Sequence, residues 1–396
     1  MTRGEKPWLY LVAFPAGHGA VDWGGAALWV LAPAIALSMG LSPARVGLLF
    51  TMKALGSGLA PLPAGLLGDA LRSRGGFMLS TLWWVVVAYL AASVAPDYWL
   101  LGMFVAIAAA GAASWHPIAM GTMVQRMPER RAFALAIHGI GGTLAEVIAP
   151  LSVGLLLSFI GWQQVLQIST VPAVIMGTLF LRLSWMIEPS VQRRPFGTDF
   201  HQLARVLLRR SSLSILFMVI LYDMSVITLM SMTPLYLQDI RGFSSGLTGV
   251  AFALLVLAGA AAAPAAGRIS DRKGRKPIVL LGLLGGSGCA CLVPVAPGTL
   301  GVFIALIATG LFLIAVRSVL IAMALEVVGR REITVIGFLF AIGGSAGAGG
   351  AALAGLVGNS SLAMTLVLTS VLALASGLAV GVSSFSPADV RSKERQ

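Results

Sequence analysis

The chain has 396 residues, of which 58% are hydrophobic and 11% charged, with a formal net charge of +12. Soluble domains run at about 45–50% apolar and roughly 25% charged residues, so there is too little charge here to cover a soluble surface, and the mean hydropathy of +0.92 agrees. A soluble multidomain protein, a disordered chain, a coiled coil and a nucleic-acid-binding protein are all excluded. The two cysteines, Cys289 and Cys291, are too close together for an ordinary disulfide and cannot build a cysteine-based zinc site.

Arg3 and Lys6 precede an apolar run too long for a cleavable signal segment. Apolar runs long enough to cross a bilayer are expected at 8–37, 43–68, 77–95, 98–124, 132–160 and 163–187. A polar stretch with Pro189 and Pro195 follows, with a short interfacial helix expected over 200–209. Further runs are expected at 211–238, 245–267, 277–296, 299–328, 333–356 and 360–384. Lipid offers backbone groups no partners, so these runs must be helices. The reading is an all-α integral membrane protein with twelve transmembrane helices. If both termini share one side, 23 of the 27 Lys and Arg residues lie on that side and two, Arg45 and Arg241, on the other. Positive loops favour the cytoplasm, so both termini are expected there, in a bacterial-type plasma (inner) membrane.

Shifted by about 201 residues, the sequence aligns with itself. Asp22 falls on Asp223, Pro33 on Pro234, Ser42 on Ser244, Gly47 on Gly249 and Asp69 on Asp271. Gly141-Gly142-Thr143 falls on Gly343-Gly344-Ser345, and His116 within about a residue of Arg317. Two parallel six-helix repeats are the layout of transporters with a site near the bilayer midplane. The expected division is an N-terminal bundle over 1–187, a cytoplasmic linker over 188–210, a C-terminal bundle over 211–384 and a cytoplasmic tail over 385–396.

The loop Gly267-Arg-Ile-Ser-Asp271-Arg272-Lys273-Gly274-Arg275-Lys276 resembles the signature loop of the major facilitator superfamily. The resemblance covers the whole chain and implies the major facilitator fold. It also implies a cytoplasmic latch built on Gly267, Asp271, Arg272, Gly274 and Arg275, in which the aspartate pairs with basic residues in the outward-open state. Gly267 and Gly274 are expected to give close backbone approach and a tight turn. The repeat-related loop keeps Gly65 and Asp69 but carries Ala70 and Arg72 where an arginine and a glycine are expected. Shorter patterns are similar to drug–proton antiporters and to fosmidomycin-resistance-type exporters. They are Gly17-His18 ahead of Asp22-Trp23, Trp115-His116-Pro117, and Gly139, Gly142, Pro150 and Gly154 in the fifth helix. The same small residues also serve tight helix packing.

Ionisable residues inside a membrane are costly and mark pathways. Five full charges fall there, Asp22, Lys53, Glu146, Asp223 and Arg317, joined by His18, His116 and His138. Three acids face two bases, so one acid is expected to hold a proton or to pair with a protonated histidine. Asp22 with His18, four residues apart on one helix face, is the first choice for proton coupling, and Glu146 the second. A static set of buried ion pairs, Lys53 with Asp22 and Arg317 with Asp223, is the structural alternative. His138 is expected to be a hydrogen-bonded structural histidine. Lys53 and Arg317, in opposite halves, suit an anionic substrate. Asp223, His116 and Trp23 complete the expected substrate site.

No nucleotide-binding loop, metalloprotease motif or paired-aspartate motif occurs, so no cofactor, metal or catalytic residue is expected. The expected function is a secondary transporter working by alternating access, exporting a small organic anion or drug-like compound in exchange for protons. Its partners would be the substrate, the proton and the bilayer, with no nucleic acid, and it would act as a monomer. A proton-coupled importer of a small metabolite is the alternative; a membrane enzyme or a receptor is remote.

Overall fold

The computed structural model describes residues 9–70, 73–187, 210–328 and 332–382. The expected linker, its interfacial helix and the C-terminal tail lie outside the described residues, apart from Arg210. Among the described residues there are twelve helices long and apolar enough to cross a membrane. They are α1 (Leu9–Met39), α2 (Pro43–Gly68), α3 (Arg74–Ser93), α4 (Tyr98–Arg126), α5 (Phe133–Leu156) and α6 (Trp162–Met186). The second set is α7 (Leu213–Ile240), α8 (Ser245–Lys273), α9 (Arg275–Val295), α10 (Gly298–Ala324), α11 (Ala341–Ser360) and α12 (Leu362–Gly381). The helix containing α11 begins at Glu332. Short loops make successive helices antiparallel, so the first turn of α1 and the end of α12 share one face, here called the terminal face.

Two details escape a hydropathy reading. The fifth run was expected to reach residue 160, but α5 ends at Leu156 and its last residues form turns closed by Phe159 and Ile160 amides on the Leu156 carbonyl. In α10 the turn at Gly310–Ile314 widens, with the Ala315 amide bonding the Gly310 carbonyl. Apolar composition holds a segment in the bilayer without specifying its local winding.

The internal repeat is visible in backbone geometry. After α1, Gly40 takes φ 61° and Ser42 caps α2 by accepting from the Arg45 amide at 3.4 Å. After α7, Gly242 takes φ 66° and Ser244 caps α8 by accepting from the Leu247 amide at 3.2 Å. Both glycines supply the left-handed residue that ends a helix, and both serines satisfy an orphan amide of the next one. Pro33 and Pro234 sit at matching places inside α1 and α7.

The halves meet backbone to backbone at the face opposite the termini. A Cβ on Gly47 of α2 would lie 2.5 Å from the Gly355 Cα and 2.6 Å from the Ala351 carbonyl of α11. A Cβ on Gly249 of α8 would lie 2.5 Å from the Pro150 carbonyl and 3.2 Å from the Gly154 Cα of α5. Deeper in, Gly58 packs on Gly344 and Ser345, and the Thr51 hydroxyl donates to the Ala348 carbonyl at 3.1 Å. Small residues let helices in lipid approach this closely. Toward the terminal face, Gly121, Gly139 and Gly267 have open space where a Cβ would stand. The described halves are closely packed at the face opposite the termini.

Candidate functional site

Helix α1 lies against α5 because glycines remove the side chains between them. A Cβ on Gly19 would lie 2.8 Å from the Gly141 carbonyl, and one on Gly141 would collide with the Pro15 carbonyl. Gly17 likewise gives room to the indole of Trp115 on α4, a ring packed edge-on against Phe14 and Phe180. Two neighbouring pairs therefore face each other, Gly17 with Trp115 and His18 with His116. The His18 and His116 rings are 4.7 Å apart and edge-on.

His138 of α5 completes the cluster, its ring stacked on His18 at 4.3 Å. His18 Nδ1 lies 2.7 Å from the His138 carbonyl. A carbonyl only accepts, so Nδ1 carries the proton and Nε2 points onward. Nε2 lies 3.1 Å from one oxygen of Asp22, and His116 Nε2 lies 3.5 Å from the other. A Cβ on Gly142 would lie 2.5 Å from His18 Nε2, so this glycine keeps the place open.

Expectation and structure part here. Asp22 and His18 meet as expected. The static Lys53–Asp22 pair is not formed: among the described residues Asp22 pairs with the two histidines, and Lys53 Nζ donates to the Gly25 carbonyl at 2.9 Å. Lys53 also sits 3.7 Å above the Trp29 ring, a cation–π seat. His138 is not the satisfied histidine expected. It is 2% exposed, and among the described residues neither ring nitrogen has a hydrogen-bond partner. The sequence signal was present: His138, Gly142 and Glu146 stand four apart on one face of α5. Missing from it was any sign that α5 would lie on α1.

Glu146 is half-buried and, among the described residues, makes no hydrogen bond or ion pair. It lies within electrostatic range of Lys53, Asp22 and His18 in its own half and of Arg317 on α10 in the other. Asp223 on α7 rests its carboxylate against the backbone of α11 at Gly343 and feels the charge of Arg317. Trp23 is half-buried and packs on the apolar core. Charges from both halves thus face one space between them.

The signature loop is formed at the α8–α9 turn. Gly274 takes φ 91°, a left-handed value that supports the expected tight turn. Asp271 pairs with Arg275 of α9, which also donates to the Ser270 hydroxyl at 2.7 Å. Asp271 and Arg272 are exposed. Close approach at Gly267 is not seen, since nothing lies within 4 Å of its Cβ position. In the first half, Asp69 lies at the end of α2 with its side chain outside the described residues. Buried Arg74 holds that turn, donating to the Gly68 carbonyl at 3.3 Å and to Gln125 at 2.7 Å.

A family model described as the Major Facilitator Superfamily matches residues 16–352 and, again, 215–395. A metabolite transport protein of Haemophilus influenzae is 27% identical over 70% of this chain and 71% of its own length. Multidrug resistance protein MdtL of Klebsiella pneumoniae is 25% identical over 57% of each chain. Among solved structures, a bacterial homologue of the human lysosomal transporter Spinster, in an inward-facing and occupied conformation, superposes with a TM-score of 0.80. It is 17% identical and the match covers 96% of this chain and 97% of that one. The nucleoside transporter NupG superposes with a TM-score of 0.76 at 13% identity, covering 94% of this chain and 99% of that one.

Proposed function

The chain belongs to the major facilitator superfamily, and from that premise we propose that it exports a small organic anion or drug-like compound in exchange for protons. It is an integral membrane transporter of small molecules, not an enzyme. In our reading it works as a monomer by alternating access, in the plasma (inner) membrane, with both termini cytoplasmic. The distribution of Lys and Arg supports that orientation. The described conformation would then be open toward the cytoplasm. Kinship with a protein named for multidrug resistance supports export. Kinship with one named for metabolite transport keeps a proton-coupled importer as the second reading.

The observation that carries proton coupling is Glu146. An intramembrane carboxylate that has no partner among the described residues, within electrostatic range of charges of both halves, is placed to gain and lose a proton as the halves move. Both oxygens of Asp22 face histidines, so we place the coupled proton on Glu146, the second choice from sequence. Lys53 and Arg317 would attract the anion, with Asp223, His116 and Trp23 lining its site. Lys53 would leave its seat on Gly25 and Trp29 to do so. Asp271, Arg272 and Arg275, with Gly267, Gly274 and Asp69, would form the latch that closes the terminal face in the other state.

Vesicle transport tests this. Glu146→Gln keeps the shape and removes the titrating group. Downhill counterflow of substrate should survive while accumulation driven by a pH gradient is lost. Full pH-driven accumulation in Glu146→Gln, with loss in Asp22→Asn, would move the proton to the Asp22–His18 pair. Lys53→Gln should weaken substrate binding itself; normal binding there would argue against an anionic substrate.

A further inference from the structure

Three of the four histidines in the chain come together from three different helices, and two of them, His18 and His116, face the carboxylate of Asp22. We propose that His18, His116, His138 and Asp22 form a binding site for a divalent transition-metal ion of the Zn2+ class. Each histidine can offer a ring nitrogen such that the three donor atoms lie within 4.8 Å of one another. In a tetrahedral zinc site with bonds of about 2.0–2.1 Å, neighbouring donor atoms stand about 3.3 Å apart. His18 Nε2 lies 3.1 Å from one oxygen of Asp22 and His116 Nε2 lies 3.5 Å from the other, so each imidazole has a carboxylate oxygen near that spacing.

Two further observations separate this cluster from a chance gathering. His138 is almost fully buried, and both of its nitrogens lack a hydrogen-bond partner. A buried polar group is normally satisfied, so an orphan of this kind calls for an unseen partner. His18 shows the outer-shell arrangement that metal-bound histidines use. One nitrogen donates to a backbone carbonyl, and the other is held facing the site. Three imidazoles and one carboxylate favour zinc, cobalt, nickel or copper over magnesium or calcium, which take oxygen ligands. The site belongs wholly to the first half, because its counterpart in the second half has Asp223 against a bare glycine backbone. A bound ion would tie α1, α4 and α5 together.

The test uses the full chain, purified in detergent without a histidine tag and stripped of metal. Zn2+ titrated by calorimetry should bind with one ion per chain. Co2+ should give the intense visible absorption of a tetrahedral, nitrogen-rich site. His116→Gln and His138→Gln should each weaken Zn2+ binding by about tenfold or more, while His201→Gln changes nothing. An unchanged thermal unfolding profile of the metal-free variants would show that they are folded. If a variant fails to fold, the Co2+ spectrum of the unaltered protein decides: weak, octahedral bands overturn the proposal. Absence of stoichiometric binding, or unchanged affinity in both folded histidine variants, overturns it too. Because binding is read without a gradient, the outcome is independent of where the coupled proton sits.

Discussion

The two halves share a backbone and differ in chemistry. Gly40 and Gly242, Ser42 and Ser244, and the crossings Gly47 on Gly355 and Gly249 on Gly154 repeat at an offset of 201 or 202 residues. At the centre the likeness stops. The first half gathers three histidines, Asp22 and Glu146, while the second offers Asp223 and Arg317. At the terminal face the imbalance reverses, because only the second half has the complete signature loop. A duplicated frame has kept what closes the molecule and has let the two halves specialise in what they hold.

The largest test of that comparison is mechanical. Gly47→Leu and Gly249→Leu each force a side chain into opposing backbone that cannot yield. Overpacking of this kind costs about 1–3 kcal/mol, which shifts a two-state equilibrium by about 5–150-fold. Both variants should expose the space between the halves to the face opposite the termini. The readout is the labelling rate of Ser57→Cys, next to Gly58 at its contact with Gly344, by an impermeant thiol reagent, with Cys289 and Cys291 replaced. Opening by only one of the two would break the symmetry.

Next is Gly274→Val. A β-branched residue at φ 91°, ψ 154° is strained, because that region is essentially reserved for glycine and costs other residues about 1–3 kcal/mol. The α8–α9 turn should lose that much in thermal or denaturant stability. The sequence places Arg72 at the matching position of the first half, so the two turns are not built alike.

Ser42→Ala and Ser244→Ala should each cost about 0.5–2 kcal/mol, the usual loss of a helix cap. Equal losses would sharpen the claim that the two loops are one device used twice. The smallest stability effect is expected for Asp271→Asn. Its exposed pair with Arg275 is worth about 0–1 kcal/mol. Transport should nevertheless fall while equilibrium substrate binding persists, if the loop acts as the proposed latch on the conformational balance.

Much of this was legible in the sequence. The twelve spans follow from hydropathy, because lipid leaves few alternatives, and most ends fall within a few residues of the helices. The repeat was readable because its markers, Gly47 and Gly249 or Asp22 and Asp223, sit where close contact or burial restricts the residue type. The signature turn at Gly274 was readable for the same reason. The histidine cluster was not. His18 and His138 are 120 residues apart, and their meeting depends on Gly19 and Gly141 letting α1 and α5 touch. The seat of Lys53 was hidden too, since a lysine beside Trp29 requires α2 to fold back along α1.

The glycine crossings that seal the face opposite the termini have one more consequence. A glycine has no rotamers, so closing this gate freezes no side chains and strips no charge of its water. Opening it gives up dispersion contacts and the Thr51–Ala348 hydrogen bond. These contacts carry no charge, so salt and pH reach the gate only through groups elsewhere in the molecule, while the lateral squeeze of the lipid acts on it directly. The latch proposed for the terminal face is charged and would respond to ionic strength. A transporter built this way listens to the bilayer at one door and to the electrolyte at the other.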